Sequence, residues 1–308
     1  MYRYNAVFEG GGIRGIGIIG ALKFLHKCDI YWENVAGSSV GAVVASLVSA
    51  GYNAQELQNI MSELNYNDFL DKGRSFRIPF LGKHLSVLRE KGIYSGEYVE
   101  AWIRQLLRQK GVVQFKDISN NGVSRLKVIA SDITLNRIVV LPDDLYRYGI
   151  DGMNFDVAKA VRMSISIPFY FKPVKFNYNG NISYIVDGSV CCNYPLRIFD
   201  NKIKYKYSTI GFKFLNSYSS YTSKGKTDAV SFLRDIVSTM STVSNDQVLS
   251  DEDVQRTIFI PTHGVESTDF DISKEKTIKL FKSGYKAATT YWENKIIEEH
   301  KENENFII

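Results

Sequence analysis

Apolar and polar positions along this chain follow two different periods, and the switches between them mark the elements. "YNAVFEGGG" is a short apolar run that ends in glycines and reads as a buried strand. It gives way to "GIGIIGALKFLHKC", where Ile16, Ile19, Leu22 and Leu25 recur at helical spacing. "YWENVAGSS" reads as a second strand, and "VGAVVASLVSAG" as a small-residue helix closed by Gly51. "NAQELQNIMSEL" is amphipathic, with Asn53 as its N-cap. From Asn65 to Gly92 neither period persists: Phe, Leu and Ile are mixed with Arg and Lys, and Pro79 excludes one continuous helix. "SGEYVEAWIRQLLRQKG" restores helical spacing behind a Ser95 cap. "RLKVIASDI" and "RIVVLP" form a hairpin pair around "TLN", and "FDVAKAVRMSISI" is helical up to Pro168. "ISYIVDGS" and "YSTIGFKFL" are further strands, followed by a mostly helical tail. The irregular stretch Asn216–Asp228 reads as a mobile loop.

Strands alternating with helices predict an α/β fold with a largely parallel sheet covered on both faces. The 308 residues suit one large domain, and no internal repeat divides them. The longest apolar runs fall far short of a membrane span. "MYRYNAVFEGGG" enters a strand at once, leaving no room for a signal peptide. Cys28, Cys191 and Cys192 make no disulfide framework and point to a reducing, cytoplasmic setting. Cys and His show no metal spacing, so neither a metal nor another cofactor is expected. A net charge of +5 is too mild for nucleic acid, and suits transient contact with an anionic membrane surface.

Two turns carry candidate chemistry. The first, "EGGGIRG", contains Gly10-x-Gly12-x-x-Gly15 between a strand and a helix. That spacing fits a dinucleotide fingerprint, with Glu33 near the position of a ribose-binding acid. The second strand argues against a nucleotide site, because it runs into "GSSVGA". There Ser39 lies between Gly37 and Gly41, the G-x-S-x-G spacing of a nucleophile elbow. Ser38 is off the centre of that spacing. Free N–H groups of a glycine loop at a helix start, beside a serine on a strand–turn–helix, make an oxyanion hole next to a nucleophile. Arg14, inside the glycine loop, either braces it or pairs with a nearby acid.

Ser39 needs a base. His26, His84 and His300 lie in unpromising contexts, and only His263, in "IPTHGVES", sits in a loop after a strand. A Ser-His-Asp esterase using His263 is one alternative, and a catalytically silent lipid-binding protein is another. Asp187 in "YIVDGSV" is the better base. It ends an apolar strand and is followed by Gly188, so partial desolvation can raise its basicity.

"GGGIRG", "GSSVG" and "DGS", in that order, resemble the patatin-like phospholipases. "KGIYSGEYVEAWI", "ASDITLNRIVVL", "AVRMSISIPFYFKPV" and "STIGFKF" are similar to further segments of that family, so the resemblance covers most of the chain. It implies a three-layer α/β/α fold and a Ser-Asp dyad that hydrolyses acyl esters of phospholipids or related glycerolipids. By the same resemblance Ser39 is the nucleophile, Asp187 the base, and the N–H groups of Gly11 and Gly12 the oxyanion hole. Arg14 takes the family's basic position. Residues 1–215 would be the catalytic core, 65–92 a lid-like segment, and 216–308 the helical remainder of one domain. Two departures are visible: Glu9 replaces an aspartate, at a position that looks tolerant, and Ser189 stands where alanine or glycine is usual.

Overall fold

The computed structural model describes residues 2–63, 90–215, 249–267, 269 and 272–305. The expected lid-like segment 65–92, except for its last three residues, lies outside the described residues, as does the expected loop Asn216–Asp228.

Strand β1 (Tyr2–Phe8) leads through the glycine loop into helix α1 (Gly15–Lys27). Strand β2 (Ile30–Ser38) leads through Ser39 into α2 (Val40–Ser49). Gly51, at φ 92°, follows α2 as expected. Helix α3 (Ala54–Glu63) starts at a capping box, in which Asn53 Oδ1 accepts from Gln55 and Glu56 N–H while Glu56 accepts from Asn53 N–H. Short β3 (Gly92–Tyr94) precedes α4 (Glu97–Gln109), where the Ser95 hydroxyl accepts from Glu97 N–H. A two-residue pair, β4 (Ser119–Asn120) and β5 (Val123–Ser124), leads to β6 (Leu126–Asp132) and its hairpin partner β7 (Arg137–Leu141). Helix α5 (Val157–Ser164) ends four residues before Pro168. Then follow β8 (Phe169–Phe171), which pairs with β3, β9 (Val174–Tyr178), β10 (Asn181–Asp187) and β11 (Thr209–Leu215). Short α6 (Asp251–Gln255), β12 (Thr257–Pro261) and the long α7 (Lys274–Asn305) complete the described chain.

Hydrogen-bonded neighbours run β12-β11-β1-β2-β6-β10-β9, with β7 on β6 as well. From β12 to β6 every pairing is parallel. β7 and β10 are antiparallel to β6, and β9 is antiparallel to β10. The fold is therefore the expected mixed α/β type with a largely parallel sheet flanked by helices. Successive strand residues face opposite sides: Ala6, Phe8 and Val35 join the large core with α1, α2, α4 and α5, whereas Val7 and Ala36 pack on Phe199 and Tyr205. α7 lies along α1 at glycine contacts. A β-carbon on Gly20 would come within 2.0 Å of Phe281 O, and one on Gly284 within 1.8 Å of Gly17 O.

The register on β6 positions the site. β2 ends with Ser38 opposite Ile129, and β10 ends with Asp187 opposite Ala130. β7 pairs with β6 across Val128–Asp132, overlapping both, so β2 and β10 must share the other edge of β6. β10 enters from beyond the end of β2 and stops where β2 stops.

Candidate active site

Ser39 occupies φ 52°, ψ −126°, a conformation that costs a non-glycine residue on the order of 1–3 kcal/mol. The surroundings hold it there. A β-carbon at Gly37 would lie 2.2 Å from Gly41 C and O, and one at Gly41 would lie 2.2 Å from Phe8 O. Strand, turn and helix thus close on each other with no room for side chains, the physical requirement behind G-x-S-x-G. Ser39 N–H donates to Ser164 Oγ at 2.9 Å, and that hydroxyl donates to Ile129 O at 2.5 Å.

Asp187 is buried at the end of β10. Its N–H donates to Ser166 O at 2.9 Å, and its Oδ1 accepts from Ser189 N–H at 2.8 Å. Burial pushes its carboxyl up from 3.8 to about 6, against hydrogen bonds from Ser189 N–H, the Ser189 hydroxyl and the Ser39 hydroxyl that pull it down. The Ser39 hydroxyl is therefore within reach of the carboxylate. Oδ2 nonetheless makes no well-aligned hydrogen bond among the described residues, the loose geometry common before substrate binds.

Sequence analysis missed Ser164 and Ser166. One turn at the end of α5 holds the backbones of both Ser39 and Asp187, and the "RMSIS" stretch was legible only as a helix end. Arg162 underpins that turn, donating to Ser166 Oγ, Ser95 O and Lys172 O. Ser164→Ala strands the buried Ser39 N–H and removes a donor from Ile129 C=O. It is expected to lower stability by about 1–3 kcal/mol in denaturant unfolding. An unchanged midpoint would rule out this bridge.

β1 ends at Phe8 opposite Gly37, so the glycine loop leaves the sheet beside Ser38 and Ser39. Almost every polar backbone group of the loop is engaged. Glu9 N–H donates to Phe212 O, Gly10 N–H to Asn193 O, and Ile13 N–H to Ser267 O. Gly10 O accepts from Asn193 Nδ2 at 3.1 Å. Gly11 O accepts from Arg14 N–H and Nε, both at 3.1 Å, and Gly12 O from Gly15 N–H. The N–H groups of Gly11 and Gly12 have no such partner among the described residues.

Arg14 thus braces the loop. Its guanidinium lies 5.1 Å from the Phe214 ring centroid, and burial lowers its pKa while Glu9 and Glu266 raise it. Gly15 opens α1 against Val40, and Gly188 sits against Ile129 O and Ser38 Oγ. Asn193, also missed, clamps Gly10 at both its N–H and its C=O. Glu9 is more than the tolerant position its sequence context suggested. It is buried, with Lys213 Nζ at 2.8 Å from Oε1 and Phe214 N–H at 2.5 Å from Oε2. Burial raises its carboxyl pKa and Lys213 opposes the rise. Removing either member leaves a buried charge uncompensated.

Of six buried polar side-chain atoms without a hydrogen bond among the described residues, three belong to this region: Ser38 Oγ, Asp187 Oδ2 and Asn193 Oδ1. The rival arrangements are not assembled. His263 is exposed beyond the end of β12, three strands from β2 and so about 14 Å away across the sheet. Glu33 lies well before the end of β2 and pairs with Arg3 at 3.0 Å. His84 and the side chain of His300 lie outside what is described.

Known proteins are similar to this chain over most of its length. YqhO, an uncharacterized protein of Bacillus subtilis, is 33% identical over 280 residues, covering 91% of this chain and 94% of its own. Probable lipid hydrolase 463L of Invertebrate iridescent virus 6 is 27% identical over 209 residues, covering 66% of this chain and 64% of its own. Among solved structures, VipD from Legionella pneumophila has the same fold at TM-score 0.59 and 16% identity, over 94% of this chain and 67% of VipD. Residues 6–200 match the patatin-like phospholipase family, and the chain belongs to it.

Proposed function

We propose that this lipid hydrolase cleaves ester-linked fatty acyl chains from phospholipids or related glycerolipids, with Ser39 as nucleophile and Asp187 as base. The observation that carries the reading is the meeting of the two strand ends on one edge of β6, which sets a strained serine beside a buried carboxylate. Ser39 Oγ attacks the ester carbonyl, and Asp187 takes the hydroxyl proton. The developing oxyanion is stabilised by the N–H groups of Gly11 and Gly12. Asp187 then protonates the leaving alcohol, and afterwards takes a proton from the water that releases the fatty acid from Ser39. Residues 1–215 form the catalytic core, and 216–308 the remainder of the same domain. The protein works in the cytoplasm and meets membranes peripherally.

A fluorophosphonate probe tests the reading. It is expected to label the native chain at Ser39 and to leave the Ser39→Ala chain unlabelled, while a panel of phospholipids and neutral glycerolipids identifies the substrate. A native chain that takes up no label and releases no fatty acid would favour a silent lipid-binding protein.

The pH dependence follows from Asp187. The base must be ionised, so kcat/KM is expected to rise through a single ionisation near pH 6 and to level off above it. Ser189→Ala removes a hydrogen bond to the ionised carboxylate, so the midpoint should move upward. His263→Ala should leave the profile unchanged. A midpoint that followed His263, and not Ser189, would restore the triad reading.

A further inference from the structure

The antiparallel corner of the sheet is covered throughout on one face, and on the other only at the catalytic end, where Val186 and Ser131 are buried. On the covered face Phe176, Ile185 and Val139 join the core. The other face is set by the registers. Tyr184 lies opposite Lys175, Ile182 opposite Asn177, Val186 opposite Ser131, and Ser131 opposite Ile138. Directly paired residues share a face, so Ile138, Ile182, Tyr184 and Lys175 all stand on it. Ile133 N–H bonds to Tyr184 O, which continues the same register and adds Ile133. The open face of an antiparallel sheet is ordinarily polar. Here Ile133, Ile138 and Ile182, with Leu135 in the adjoining turn, are each 43–52% exposed. Such a cluster marks a contact surface.

Its charge is one-sided. Segments 133–142 and 172–186 contain no acidic residue; of their cations Lys172 lies just before β9 and Lys175 in it, while Arg137 stands on the covered face opposite Asp132. The acids that flank these segments are engaged elsewhere: Asp132 accepts from the Tyr148 hydroxyl and from Thr134 and Leu135 N–H, Asp143 pairs with Lys127, Asp144 pairs with Arg147, and Asp187 lies in the site. Glu90, beside Lys91, is paired with Lys172. Lys91 and Lys175 place their ammonium groups 4.7 and 5.6 Å from the Tyr184 ring centroid. Lysines with their stems on apolar surface, beside a tyrosine, suit the boundary between lipid headgroups and acyl chains.

The position is also informative. β10 descends from this surface into Asp187. Tyr184 and Ile182 precede it by three and five residues, about 10 and 17 Å along an extended strand. The surface therefore rises past the catalytic end of the parallel sheet.

We infer that Ile133, Leu135, Ile138, Ile182, Lys91 and Lys175 form the surface that docks this protein on an anionic lipid bilayer. The inference rests on the reading of the chain as a lipid acyl hydrolase. It names a surface apart from the residues proposed for the chemistry.

Binding of the full Ser39→Ala chain to phosphatidylcholine vesicles containing phosphatidylserine tests it, because docking is then read without turnover. Lys91→Gln with Lys175→Gln should weaken binding roughly fivefold per lysine, and bring it close to the level for pure phosphatidylcholine. Ile138→Thr with Ile182→Thr keeps strand-forming residues and should weaken binding about tenfold. With Ser39 restored, both pairs should hydrolyse a soluble short-chain ester within about twofold of the native rate, as expected for sites without shared partners. Should a pair fail to fold, Leu135→Trp gives an independent reading: brominated phosphatidylcholine in the vesicles should quench the added tryptophan. Unchanged vesicle affinity in both pairs, or no added quenching, overturns the inference. So does a loss of self-association with unchanged vesicle binding, which would assign the face to a second copy. If the native chain hydrolyses no ester while the variants still lose vesicle binding, the surface stands and the hydrolase reading falls.

Discussion

Asp187→Asn is expected to abolish turnover and to stabilise the folded protein at the same time. The two effects have one cause. Burial lifts the Asp187 carboxyl from 3.8 to about 6, so the ionised form is held at a cost in the native state. A carboxyl whose native pKa is raised contributes its full stability below about pH 4, and loses it as pH rises through about 6. A shift of about two units corresponds to roughly 3 kcal/mol at neutral pH. The amide carries no charge, so Asp187→Asn should regain much of that above pH 6 and nothing below pH 4. Catalysis goes the other way, because an amide cannot take the Ser39 proton. Turnover should fall by three orders of magnitude or more, and Ser39→Ala should fall as far. Groups that act as a unit are lost together, so the double variant should be little worse than either single one. Unfolding curves at pH 4 and pH 8, set beside ester hydrolysis, check both halves. A variant that was destabilised at pH 8, or that kept near-native turnover, would show Asp187 to be a structural turn residue.

The parts of the site legible in sequence are those made by neighbours in the chain. Gly37, Ser39 and Gly41 fall within one turn, and the steric need for glycine there is local. Asp187 was legible as a strand end followed by glycine. What brings it to Ser39 was not, because the two meet through β6 and neither segment carries a sign of that register. Ser164, Ser166 and Asn193 escaped for the same reason: each acts on backbone groups distant in sequence. Glu9 looked tolerant because its partners, Lys213 and Phe214 N–H, come from β11. β9 is a different kind of omission. Asn179 and Gly180, both at positive φ between alternating "VKFNY" and "NISYIV", carry a strong hairpin signal that sequence analysis did not use. With that hairpin predicted, the antiparallel corner and its apolar open face would have been legible too.

Gly12→Ala is expected to cost at least about a hundredfold in kcat, with KM little changed. Gly12 has φ 54°, where a β-carbon costs about 1–2 kcal/mol. That β-carbon would also lie 1.9 Å from the backbone oxygen of Ser267, so the loop must move. The movement reorients the N–H groups of Gly11 and Gly12, the two loop donors without a partner among the described residues. Losing one donor to an oxyanion removes stabilisation felt only in the transition state, which is why kcat and not KM should respond. Gly51→Ala separates this effect from backbone strain. Gly51 also has positive φ, 92°, but a β-carbon there meets nothing within 4 Å. It should lose only the part of the stability that comes from backbone strain, and keep its turnover. Melting temperatures and saturating rates on a short-chain ester, measured for both variants, give the comparison. If Gly12→Ala lost stability and kept native turnover, the glycine loop would be a packing device and the oxyanion donors would have to be sought elsewhere. If only Gly12→Ala lost turnover while it remained folded, the loop acts on the reaction itself.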